Sequence, residues 1–278
     1  MDRPLAAQLC AACKYIYRSN LDDVSGLGVP RSAIQSHSDD NRIQTSTAGI
    51  LRYPDKTVVV FQGTLTGRNA ASVRDWLANF DAYSENVDGF AGRVHRGFAG
   101  QLKGVAQLLI DDLTARKFAA PLYVTGHSQG GAVAVLATQA LQAAGFPVTA
   151  TYTFAAPRAG NDAFADSVKT PVFRLEFGND IVPHVPIRLS TMGKIQQAAQ
   201  FVPRLAPILD RITVDDKLAY RAAGTLVYAA PWRKTLTIGP TPDEDRKLEE
   251  ARRLRLVLAK DQLFNHHHLK NYEAMLAS

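Results

Sequence analysis

The stretch Tyr123-Val124-Thr125-Gly126-His127-Ser128-Gln129-Gly130-Gly131 decides how this chain is read. A β-branched, extended run ends at Gly126. A serine follows two residues on, then two glycines, then the alanine-rich segment from Ala132 to Ala144. The order is strand, sharp turn, helix. It contains G-x-S-x-G, in which the serine sits on a strained turn at the top of a sheet. So tight a turn brings the positions two before and two after the serine nearly together, leaving no room for a Cβ at either. The helix that follows points the positive end of its dipole at the serine oxygen. A glycine-rich turn of this kind also suits a phosphate cradle. No G-K-[ST] follows the glycines, so a P-loop is excluded. A nucleophilic serine needs a base, an orienting acid and oxyanion donors, and the rest of the chain must supply them.

Working outward, Thr45 to Tyr53 and Thr57 to Phe61 read as strands around the turn Pro54-Asp55-Lys56. The second is apolar throughout, as in a strand buried on both faces, and runs straight into Gln62-Gly63-Thr64. An amphipathic helix is expected over about 100–116, beyond Val94-His95-Arg96-Gly97-Phe98. After the elbow helix come a strand over 148–154, a short helix over 163–168, and a strand over 171–177 that ends in Gly178-Asn179-Asp180. Helices alternating with strands imply a mostly parallel sheet covered by helices on both faces. In such sheets the site lies at the carboxyl ends of the strands, and Thr64, Ser128 and Asp180 each fall just after one.

The flanks carry less signal. Residues 4–19 read as an opening helix and 20–42 as polar and irregular. Late in the chain, 219–230 and 232–238 look like a hairpin. Thr241-Pro242-Asp243-Glu244 is a well-formed helix start, with the helix running to about 262. With no repeat, linker or low-complexity segment, residues 1–278 read as one domain.

The composition, 46% apolar and 21% charged, is that of an ordinary globular protein. The net charge of +6 comes without a long block of like charge, so no nucleic-acid partner is expected. Cys10 and Cys13 are spaced C-x-x-C. That spacing suits a redox pair or half a metal site, but an amphipathic helix with two ordinary cysteines fits the flanks better. Two cysteines make no disulfide framework. Met1-Asp2-Arg3-Pro4 opens no signal-peptide core and no run approaches a membrane span, so the chain as it stands reads as cytoplasmic. Secretion with a removed leader stays open.

A serine hydroxyl becomes a useful nucleophile when a histidine takes its proton, and a carboxylate must fix that histidine. On this fold the partners follow in the order serine, acid, histidine. Asp180 fits the acid. The base is expected from His266-His267-His268, since His184 lies only four residues beyond Asp180. The triple histidine also suits a surface metal site or a solvated bend.

Six segments in order then resemble the class 3 lipases, the fungal-lipase-like α/β hydrolases. They are Phe61-Gln62-Gly63-Thr64, Val94-His95-Arg96-Gly97-Phe98, Gly126-His127-Ser128-Gln129-Gly130-Gly131, Ala156-Pro157-Arg158-Ala159-Gly160-Asn161, Asn179-Asp180-Ile181-Val182-Pro183, and His267 through Tyr272. The resemblance spans residues 45–190 and the C-terminal tail. It implies an α/β-hydrolase fold with Ser128 as nucleophile and Asp180 as acid. Counting back from Tyr272 favours His267 as base, with His268 as the fallback. It implies oxyanion donors at the amides of Thr64, its hydroxyl helping, and Gln129. It also places a lid at 66–80, where Ala70, Val73, Leu77 and Phe80 recur at helical spacing. An ordinary surface helix is the alternative there. Residues 189–209 are a weaker second wall for an acyl pocket.

The implied activity is hydrolysis of lipid esters, as a triacylglycerol lipase or esterase, through an acyl-enzyme. The substrate would be met at a transient lipid-interface contact, and no metal or cofactor is needed. Acyl transfer or phospholipase action on the same triad are alternatives, as is an inactive lipid-binding module. The chain departs from the family at Gln62, where an arginine is usual, and in lacking the disulfides of secreted fungal members.

Overall fold

The computed structural model describes residues 1–41, 44–64, 83–116, 118–186, 220–230, 236–239 and 265–277. The candidate lid at 66–80, the segment 189–209 and the helix expected over 241–262 lie outside the described residues.

Among the described residues, an eight-stranded sheet organises the chain. Its strands are β1 (Ile34–Asn41), β2 (Gln44–Arg52), β3 (Thr57–Phe61), β6 (Leu122–His127), β7 (Val148–Phe154), β9 (Val172–Phe177), β11 (Thr225–Ala229) and β12 (Leu236–Ile238), adjacent in that order. From β3 to β11 neighbouring strands run parallel; β1, β2 and β12 are antiparallel to their neighbours. A second, smaller sheet contains β4 (Ser84–Glu85), β5 (Val94–His95), β8 (Gly160–Asn161) and β10 (Tyr220–Arg221).

The all-apolar reading of β3 corresponds to burial of all five of its residues. Period-two alternation sends Val59 and Phe61 into one core and Val58 and Val60 into the other. The first core is closed by α2 (Arg96–Ala115) and α3 (Gln129–Ala143). The second is closed by α1 (Arg3–Tyr15) and α5 (Leu269–Ala277), which pack on each other. A further short helix, α4 (Asp162–Ser167), follows β8. Helices therefore cover both faces, as the alternating pattern predicts. Because α1 and α5 share one face of the sheet, segments from both ends of the chain reach the region of the elbow.

Local chemistry explains the helix starts. Asp2 caps α1 by accepting from Leu5 N–H at 3.0 Å, with Pro4 in the first turn. His95 caps α2 through Nδ1, which accepts from Phe98 N–H at 3.3 Å, so this helix begins at Arg96, earlier than its apolar periodicity indicates. Cys10 and Cys13 lie on the buried side of α1 as free thiols. Burial pushes the Cys13 thiol up to about 12, which opposes thiolate chemistry and leaves the pair as core residues.

One long strand escapes the sequence reading. β1 falls in the segment read as polar and irregular, and pairs with β2 from Ile34 opposite Leu51 to Asn41 opposite Gln44. It is the sheet edge, where polar and acidic residues such as Ser36, Ser38 and Asp39 discourage pairing with another chain.

Candidate active site

Ser128 stands between β6 and α3 with φ 57° and ψ −134°. A non-glycine residue in that region costs on the order of 1–3 kcal/mol, and the surroundings must hold it there. Its N–H donates to Phe154 O at 2.8 Å, and its carbonyl accepts from Gly131 N–H at 2.9 Å. The two flanking glycines have different causes. A Cβ on Gly126 would overlap the Gly130 carbonyl, as a closed turn requires. A Cβ on Gly130 would instead overlap the Phe61 carbonyl at the end of β3. The second glycine thus lets the elbow approach the neighbouring strand, which brings the Gln62-Gly63-Thr64 segment beside Ser128.

Asp180 follows β9 across a tight turn in which Gly178 has φ 57°. Its carboxylate is buried and fully engaged. Oδ1 accepts from Val182 N–H at 3.0 Å, and Oδ2 receives His267 Nδ1 at 2.9 Å and the Tyr272 hydroxyl at 3.0 Å. A carboxylate only accepts, so His267 carries its proton on Nδ1 and Nε2 is left as the basic nitrogen. The pair is almost wholly out of water, with side-chain exposures of 5% for His267 and 1% for Asp180. Tyr272 reaches Asp180 from α5, its ring packed against Phe154 and Phe177.

The three consecutive histidines separate clearly. His266 Nδ1 accepts from Asn179 N–H at 2.9 Å, and burial lowers its pKa, which suits an acceptor that stays neutral. His268 is half-buried, and burial lowers its pKa too. Only His267 meets Asp180 through hydrogen bonds among the described residues.

His267 also lies against the elbow. Its carbonyl accepts from His127 Nε2 at 2.8 Å, and the two rings are 4.7 Å apart. No hydrogen bond links the Ser128 hydroxyl to His267 among the described residues. Such contacts commonly close only with substrate bound.

Thr64 and Gln129 meet directly: the Thr64 hydroxyl donates to Gln129 Oε1. The segment before Thr64 is held from three sides. Gln62 Nε2 donates to Ile16 O, Gln101 Nε2 donates to Gln62 O at 3.3 Å, and Gly63 N–H donates to the Tyr17 hydroxyl at 3.1 Å. Gln62, where the family usually has arginine, therefore ties this segment to the end of α1 without a charge.

Two participants escape the sequence reading. Tyr17 follows α1 in a stretch with no motif, and no sequence signal marks it. Tyr272 serves there only as a spacing marker. His127, next to the serine in sequence, is turned to the Tyr17 hydroxyl and the His267 carbonyl. Burial, and then the nearby His267, hold its pKa well below 6.5.

The Lipase (class 3) family model matches residues 58–190. Secreted mono- and diacylglycerol lipase 1 of Fusarium solani is 40% identical over 126 residues, which is 43% of this chain and 38% of that protein. Secreted mono- and diacylglycerol lipase A of Penicillium cyclopium is 31% identical over 192 residues, 66% of this chain and 59% of that one. The chain thus spans from under half to about three fifths of the length of these relatives. Rhizomucor miehei triacylglyceride lipase superposes with a TM-score of 0.62 at 18% identity, covering 88% of each chain. A mutant form of MDLA from Penicillium cyclopium superposes with a TM-score of 0.55 at 23% identity, over 84% of this chain and 82% of that one. At such identities the superpositions speak for the α/β-hydrolase fold, which the sheet order and the elbow share. Residues 58–190 thus match the class 3 lipase family, and the fold of the chain is that of the α/β hydrolases.

Proposed function

We propose that this protein is a serine-dependent carboxylic ester hydrolase that acts on lipid esters, acylglycerols first among them. One observation carries the reading: a strained serine elbow lies beside a buried histidine whose Nδ1 is fixed by a buried aspartate at 2.9 Å. The relatives' names supply the substrate class, as mono-, di- and triacylglycerol lipases.

In the proposed reaction Ser128 Oγ attacks the ester carbonyl carbon while His267 Nε2 takes its proton. Asp180 keeps His267 in the right tautomer and stabilises the imidazolium. The backbone N–H groups of Thr64 and Gln129 receive the oxyanion, with the Thr64 hydroxyl as an auxiliary donor. His267 then returns the proton to the departing alcohol. Water, activated by the same histidine, releases the acid from the acyl-serine. One domain carries this chemistry. Residues 66–80, directly after the oxyanion segment, form its lid over an apolar acyl cleft.

The cytoplasmic setting expected from the sequence gains no support. No helix among the described residues is long and apolar enough to cross a membrane, and two relatives are named secreted. Export is therefore the setting proposed here, and activity in the medium of the producing cells tests it.

The test of the reaction is a fluorophosphonate probe followed by peptide mass analysis, run beside rates on esters of increasing chain length, a triacylglycerol emulsion and a phospholipid. A single adduct on Ser128 and turnover of acylglycerol are expected. An unlabelled Ser128 in active protein contradicts the reading.

A further inference from the structure

The two halves of the candidate site are joined by a chain of hydrogen bonds that the reaction scheme does not use. Gly63 N–H donates to the Tyr17 oxygen at 3.1 Å. The Tyr17 hydroxyl lies 3.2 Å from His127 Nδ1, and His127 Nε2 lies 2.8 Å from His267 O. Only one arrangement of protons satisfies all three contacts. A carbonyl can only accept, so His127 Nε2 bears the proton. A neutral imidazole then offers Nδ1 as acceptor, and the Tyr17 O–H donates to it. Burial keeps His127 neutral and Tyr17 protonated, the states this arrangement needs. The same hydroxyl lies 3.4 Å from His127 O, a longer and competing acceptor for its one proton on the elbow backbone.

We infer that Tyr17 and His127 are positioning residues that hold the Gly63–Thr64 oxyanion segment and the His267 main chain at a fixed separation across Ser128. Asp180 orients the His267 ring, while His127 pins its backbone. Tyr17 fixes the His127 ring and the Gly63 peptide with one oxygen. The hydroxyl lies so close to Gly63 that a Cβ there would collide with it. Small misplacements of reacting groups are costly in rate, so the linkage acts on turnover more than on binding. The inference rests on the roles proposed above for Ser128, Thr64 and His267.

The experiment compares Tyr17→Phe with the parent enzyme on a short soluble ester, with active sites counted by a chromogenic phosphonate burst so that only folded molecules are scored. Tyr17→Phe is expected to lower kcat about tenfold with KM within about twofold, and to slow phosphonylation in proportion. His127→Leu is expected to match it, and the double variant to lose little more than either single one, because one linkage is broken in each. Tyr15→Phe is the control. It removes a neighbouring hydroxyl that donates to Leu21 O at 2.7 Å, away from the site, and kcat per titrated site is expected to stay at the parent value. If Tyr17→Phe keeps parental kcat per titrated site, the linkage is purely structural and the inference is overturned. If the parent itself gives no burst at Ser128, the underlying reaction scheme falls, and the inference with it.

Discussion

The Tyr272 hydroxyl donates to Oδ2 of Asp180 at 3.0 Å, the same oxygen that receives His267 Nδ1 at 2.9 Å. Burial and the Asp180 charge push the tyrosine pKa well above its usual value, so it stays a donor throughout the working pH range. Its oxygen also accepts from Phe177 N–H at 3.3 Å, which ties α5 to β9. Tyr272→Phe leaves the ring packing and removes both bonds. A hydrogen bond to a charged group contributes about 1.5–3 kcal/mol, and part of that will appear as lost stability. The expected outcome is an activity loss of about tenfold together with a lower urea midpoint. Parallel denaturation and ester assays check both.

The three adjacent histidines are expected to respond very differently to substitution. His267→Gln should reduce kcat on a short ester by at least about a thousandfold, since it removes the only imidazole bonded to Asp180 among the described residues. His266→Gln should cost far less, because its ring serves the Asn179 amide. His268→Gln should cost least. Steady-state rates for the three variants settle the order, and a larger loss at His268 than at His267 would reassign the base.

Thr64 and Gln129 supply the two proposed oxyanion amides and are joined through their side chains. In this state the Thr64 proton is directed to Gln129 Oε1. Thr64→Val and Gln129→Met should each lower kcat by about three- to thirtyfold with little change in KM. The double variant should fall short of the product of the two effects, because both remove the same bond. Thr64→Ser, which keeps the hydroxyl, should retain most of the activity. Full additivity in the cycle would separate the two side chains.

Stability should fall on the acid side of neutrality. Burial holds the folded-state pKa of His127 well below 6.5, while the unfolded chain titrates near that value. Below about pH 6.5 the unfolded chain therefore binds a proton that the folded chain refuses. The His127 contribution is complete above that pH and is lost as pH falls toward the folded value. The slope is at most about 1.4 kcal/mol per pH unit for one proton. His266 and His268 are shifted in the same direction and add to the trend. Urea midpoints at pH 7 and pH 5 should show it, with a shallower slope in His127→Gln.

What the sequence reveals and what it hides follow from physical causes. β3, the elbow and the strand before Asp180 are legible because burial on both faces and glycine-dependent turns leave strong local patterns. β1 is not, because an edge strand half in water needs no apolar alternation, and its pairing with β2 is visible only in three dimensions. The Gly130 requirement is legible as a glycine but not in its cause, which is the approach of the elbow to Phe61 on another strand. The Asp180–His267 pair, 87 residues apart, is legible in part: motif order points to the histidine cluster, and only the family resemblance, through the spacing to Tyr272, favours His267. Tyr17 is invisible in the sequence because it acts through one hydroxyl, reaching Gly63 and His127 from just beyond α1 where no motif marks it. Residues 66–80, which the family resemblance makes a candidate lid and which suit an ordinary surface helix as well, lie outside the described residues.

Ser128, on its strained turn, has the proposed role of nucleophile. That role is tested most directly by the hydrolysis rate of Ser128→Ala on a short acyl ester, with folding verified by its urea midpoint. The expected result is a loss of at least about a thousandfold with the fold retained. A Ser128→Ala protein that hydrolyses the ester at the parental rate would contradict the account.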